Sequence, residues 1–198
     1  MKQEPNAASE PAPVTREEMH CRQIEMRGYR RSDGLFEVEG RVIDRKSHDF
    51  IHPAPGRSVP AGEPIHDMGV RLVYDRQMMV HEVHTFTNRA PYAPCVGGGQ
   101  ALQEMKGVRM VGGWSQEVRA RLRGAKSCTH LMELLVPLAT AAHQTLGYIY
   151  STEPPRLNAN GRPLQIDSCY AYAADSEVVL KRWPNFYRRP ADSKPSTE

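Results

Sequence analysis

The feature that most limits the fold is a change of period midway along the chain. Up to about residue 88 the apolar side chains recur at every second position, and beyond it they recur at three and four. Alternation belongs to strands and the longer period to helices. The run Ile65 to Asp75, IHDMGVRLVYD, puts His66, Met68, Val70, Leu72 and Tyr74 on one face. Asp67, Arg71 and Asp75 fall on the other. Cys21 to Arg30, Leu35 to Asp44 and Met79 to Asn88 also read as strands. Asp33-Gly34 is a hairpin signal between the first two, and Asp75-Arg76-Gln77 links the last two. One apolar and one wetter face is the mark of an antiparallel sheet.

In the second half, Leu131, Leu134, Leu135, Leu138 and Ala142 form one stripe. They predict a helix from Ser127 to about Tyr148, kinked or broken at Pro137. Shorter helical runs are expected over 101–106, ended by Gly107, and from a Ser115 cap to Arg123. A final strand pair is expected over 164–173 and 177–183. The fold class is therefore α+β: an antiparallel sheet of four to six strands with helices packed on one face. Residues 1–17 read as a disordered arm, 18–184 as a single domain and 185–198 as a flexible tail. The Pro- and Gly-dense stretch between Asp49 and Pro64 reads as a surface loop.

Composition excludes more than it identifies. The 198 residues carry 26 Lys and Arg against 23 Asp and Glu, a net charge of +3. That balance argues against a polybasic nucleic-acid binder. The longest strongly apolar run, Leu131 to Ala142, is well short of the ~20 residues of a membrane span. The N-terminal MKQEPNAASEPAP has no apolar core segment, so a cytoplasmic location is expected, with Cys21, Cys95, Cys128 and Cys169 as thiols. No GxxxxGK[ST], GxGxxG, HExxH or GxSxG motif is present.

Reactive side chains gather at three places. His66-Asp67 opens the third strand, with His66 on the apolar phase; it is either a satisfied core histidine or a base or ligand. Tyr92 and Cys95 lie in PYAPCVGGG, where prolines stiffen the loop and glycines permit close backbone approach. Cys128 and His130 stand in Ser127-Cys128-Thr129-His130, where a helix start favours a thiolate.

The segments RGYRRSDGLFEVEGRVIDRKSHDF, GEPIHDMGVRLVYD, APYAPC and CTHLMELL resemble a bacterial family defined as domain of unknown function number 2889. The resemblance runs from about Met19 to Trp183. It implies, loosely, a place in the catabolism of aromatic compounds. The order of elements from Ile65 to Gln144 is also similar to iron–sulfur scaffold proteins of the NifU type. That second likeness implies that His66, Cys95 and Cys128 converge, with His66 standing where those scaffolds have a cysteine.

Two function classes follow. The first is a cofactor-independent lyase on a small aromatic molecule, with His66, Asp67, Tyr92, Cys95, Cys128 and His130 around the pocket. The alternative is a metal protein, a zinc hydrolase or a zinc or iron–sulfur carrier, with His66, Cys95 and Cys128 as ligands. A polar outer sheet face also suits a homodimer.

Overall fold

A computed structural model describes residues 13–51 and 58–189. The four alternating segments form β1 (Cys21–Arg30), β2 (Phe36–Arg45), β3 (Pro64–Tyr74) and β4 (Val80–Arg89). They make one antiparallel sheet in the order β1-β2-β3-β4. The first hairpin closes through the Arg31 N–H on the Leu35 carbonyl, 2.9 Å, with Gly34 at φ 86°. That left-handed value is open to glycine at little cost.

After β4 the chain runs through a 3-10 helix over Ala93–Met105, then α1 (Trp114–Leu122), α2 (Thr129–Thr145), α3 (Gly147–Ser151) and α4 (Glu177–Arg182). The apolar stripe of α2 is buried as its spacing requires: Leu131, Leu134, Leu135, Leu138 and Ala142 lie against the inner face of β1, β2 and β3. Phe36, Val38, Val42, Met68, Val70, Leu72 and Tyr74 complete this core. Two hydrogen bonds pin the helix, from Tyr74 Oη to the Ala142 carbonyl (2.9 Å) and from Trp114 Nε1 to the Leu135 carbonyl (2.8 Å). The helix runs through Pro137, which is exposed, so the Glu133 carbonyl that loses its N–H partner there can be met by water.

The chain divides into two compact units, Met1–Thr145 and Leu146–Glu198. In the second, Ile166, Ala174 and Val179 form a small buried cluster with Trp183, Phe186 and Tyr187 packed against it. Phe186 and Tyr187 fall in the stretch expected as a tail; the rest of that tail from residue 190, the first 12 residues of the arm and loop residues 52–57 lie outside the described residues.

Several local expectations need correction. The strand pair over 164–183 is absent. Residues 164–169 are turns, Asp167 is left-handed at φ 65°, and 177–182 are helical. Ser176 caps α4 by accepting from the Val179 N–H, and Glu177 opens the helix while Lys181 and Arg182 close it, as the helix dipole favours. Helix α1 starts at Trp114 after a left-handed Gly113, not at a Ser115 cap. Cys95 lies inside the 3-10 helix rather than in a loop before a helix. Among the described residues no helix is long and apolar enough to cross a membrane.

Candidate metal centre

The inner phase of β2 reads Phe36, Val38, Gly40, Val42, Asp44. The alternation that buries the apolar members carries a carboxylate into the same layer, and the Asp44 side chain is only 3% exposed. Antiparallel register supplies its neighbours: Arg22 is opposite Asp44 on β1, and His66 is opposite Asp44 on β3. Directly opposed residues share a face, so all three side chains meet.

Arg22 clamps the carboxylate with both arms, Nε to Oδ1 at 2.7 Å and Nη2 to Oδ2 at 2.9 Å. His66 Nδ1 lies 3.0 Å from Oδ2, and His20 Nε2 lies 3.3 Å from Oδ1. The first turn of α2 closes the site from above. His130 Nε2 is 3.8 Å from Asp44 Oδ2, and its ring centroid is 4.0 Å from that of His66. Behind His130, Cys128 Sγ lies 3.9 Å from Nδ1 and 3.7 Å from Met68 Sδ.

The helix start is held there by the glycine run. The Cys128 N–H donates to the Gly98 carbonyl at 3.0 Å, and a Cβ on Gly98 would fall 2.8 Å from Cys128 Cβ. Only glycine lets the two backbones come this close. Ser127 does not cap α2; its Oγ donates to the Leu122 carbonyl instead, 2.8 Å.

Burial of Asp44 works against its ionisation, but the hydrogen bonds and charge of Arg22, with His66 and His20, hold its carboxyl below the usual range. His66 moves down too. Burial is the main cause and His130 adds to it, against the opposing pull of Asp44. A neutral imidazole beside an ionised carboxylate is the protonation state that binds metal.

Among the described residues, Asp44, His66 and His130 are the set of three His, Cys, Asp or Glu side chains whose ligand atoms all lie within 4.8 Å of one another. A tetrahedral ion with bonds of 2.0–2.1 Å holds its ligand atoms about 3.3 Å apart. The 3.0 Å and 3.8 Å separations around Asp44 Oδ2 bracket that value.

Of the residues singled out from sequence, His66, Cys128 and His130 come together. Asp67 does not, because the pleat turns it to the outer face, where it takes Arg41 Nε and Nη2 (both 2.7 Å) and Asn88 Nδ2 (3.2 Å). Tyr92 and Cys95 sit at the start of the 3-10 helix. Tyr92 lines a cleft of about 650 Å³ with Phe50, Ile65 and Val96, a cleft that takes in Ile65 but not His66. The grouping of His66 with Cys95 and Cys128 is replaced by one in which Asp44 and His130 join His66, with Cys128 behind. Asp44, Arg22 and His20 had no place in the sequence reading. The signal for Asp44 was there, a lone charge on the apolar phase of a strand; for Arg22 the signal lies only in the register, and for His20 in its place just ahead of β1.

No curated protein and no solved structure matches the chain. A family model described as protein of unknown function (DUF2889) matches residues 20–144, more than half of the chain. The matched span takes in His20, Arg22, Asp44, His66, Cys128 and His130, and stops just short of the boundary between the two units. The chain therefore belongs to the DUF2889 family.

Proposed function

We propose that this protein holds a divalent transition-metal ion at Asp44, His66 and His130 and uses it on a small molecule. The observation that carries the reading is the convergence of two imidazoles and one ionised carboxylate from three separate elements. The supporting shell is of the kind metal centres use. Arg22 fixes the carboxylate, and Cys128 stands at the far nitrogen of His130, where an outer partner orients a ligating ring. Three protein ligands leave a position for water or substrate, at which a bound ion would polarise the reacting group. Two nitrogens and one oxygen suit zinc or ferrous iron.

Elemental analysis of protein purified without a nickel column tests this, followed by titration of chelator-treated protein with Zn²⁺, Co²⁺ and Fe²⁺. About one equivalent per chain is expected, lost in His66→Ala and His130→Ala. Failure of all three ions to bind the wild type would end the metal reading.

One observation favours a second reading, metal-free acid–base elimination on an aromatic molecule. The 3.0 Å contact of His66 Nδ1 with Asp44 orients the ring and leaves Nε2 as a base. In that case turnover of a candidate aromatic substrate survives chelator and is abolished in His66→Gln.

A further inference from the structure

We infer that β1 is a dimerisation edge, at which a second copy of this chain extends the sheet from four strands to eight. The two edges of the sheet are treated differently. Beside β4, the Gly107 N–H donates to the Val80 carbonyl (2.8 Å), the Val80 N–H donates to the Val108 carbonyl (3.0 Å), and Met79 bridges to Arg109. Beside β1, among the described residues, β2 is the only strand or bridge partner. The ten-residue strand CRQIEMRGYR contains no proline, lysine or bulge, so its only guards are the charges of Arg22, Glu25, Arg27 and Arg30, and Arg22 is already tied to Asp44. Nearly all of it is exposed, including Ile24 at 52%. An edge of this length, guarded only by charges, is a template for a strand whose charges match them.

The charge pattern selects the occupant. On the outer face β1 carries Glu25 and Arg27, which lie opposite Arg41 and Glu39 of β2. That checkerboard continues if two β1 strands pair antiparallel about Met26. Glu25 then faces Arg27 of the partner subunit, and Arg27 faces Glu25 of the partner subunit. A twofold axis makes both contacts at once, as an isologous interface requires. Centring the pair on Glu25 or on Arg27 would set like charges opposite each other, which is unfavourable. On the inner face Ile24 meets Gly28 of the partner subunit. Arg22 meets Arg30 of the partner subunit there, but its charge is already matched by Asp44. The metal centre opens onto α2 and is not needed for this contact.

The solution mass of the full chain tests the proposal. Wild type is expected at twice 22.3 kDa. Glu25→Arg and Arg27→Glu, each folded by circular dichroism, are expected at the monomer mass. Mixing the two variants restores the dimer, since every β1 contact across that pair is then between opposite charges. A wild type that stays monomeric at the highest soluble concentration overturns the inference. So does a dimer that either single variant leaves intact, which would place the interface elsewhere.

Discussion

Asp44 and Asp67 are held by the same device on opposite faces of one sheet. Each is clamped by both arms of an arginine on the neighbouring strand, Arg22 for Asp44 and Arg41 for Asp67. Each has its carboxyl held below the usual range. Their surroundings then diverge. The start of α2 covers the inner carboxylate and brings His130 to it, while His66 arrives on β3 and His20 just ahead of β1. The outer carboxylate gains only Asn88, and its side chain is 11% exposed against 3% for Asp44. An ion pair of this kind is structural by default. It becomes a candidate centre where a second layer delivers imidazoles that the pair cannot satisfy alone.

Metal affinity is expected to separate the two most sharply. Asp44→Asn should lower Co²⁺ or Zn²⁺ affinity by more than about 100-fold, since it removes a ligand where loss of an outer partner alone costs 10- to 100-fold. Asp67→Asn should leave affinity unchanged in the same calorimetric titration. Equal effects would erase the distinction between the faces.

Stability should separate them next. Arg22→Ala leaves a buried carboxylate without its cation and should cost about 2–3 kcal/mol in urea unfolding. That is below the cost for a fully buried pair because the Arg22 side chain is 37% exposed. Arg41→Ala should cost less, about 1–2 kcal/mol, since Arg41 is 45% exposed, Asp67 is less deeply buried than Asp44, and Asn88 still donates to its carboxylate.

The cover over the inner carboxylate can be disturbed without touching a charge. Gly98→Ala drives a Cβ into Cys128 and should destabilise by about 1–3 kcal/mol, with a loss of metal affinity through displaced His130. A control in the β1–β2 turn, Gly34→Ala, meets no neighbour. Its cost should be limited to the strain of the left-handed turn, and metal affinity should not change.

The smallest expected effect is in the pH profile of stability, measured with chelator present. In the folded state His66 binds its proton less readily than an ordinary histidine, chiefly because of burial. The unfolded chain therefore protonates first, and stability falls as pH drops below about 6.5 toward the folded value. Asp67 works in a separate window. Its folded carboxyl is depressed by Arg41 foremost, so its contribution is present above about 3.9 and is lost as pH falls further. His66→Gln should remove the upper limb alone and Asp67→Asn should reduce the lower. A His66→Gln profile unchanged near neutrality would contradict the first assignment.

Much of the sheet was legible in the chain. Strict alternation in IHDMGVRLVYD told which way His66 and Asp67 point, and the stripe from Leu131 to Ala142 told which side of α2 is buried. The stretch 164–183 was not legible, since short apolar runs such as Glu177–Arg182 have too little length to separate strand from helix, and there the Ser176 cap decides. The site was legible in part. His66, Cys128 and His130 stood out as reactive residues at element ends, but Cys95 was grouped with them and Asp44 was not.

What the chain determined by itself is therefore local: which residues face inward, because side-chain direction follows from backbone period alone. What the tertiary structure decided is which inward residues meet. Arg22, Asp44 and His66 are neighbours because of pairing register, which no single strand encodes. His130 reaches them, and Cys95 does not, because Gly98 lets α2 begin in contact with the glycine run and sets its first turn over Asp44.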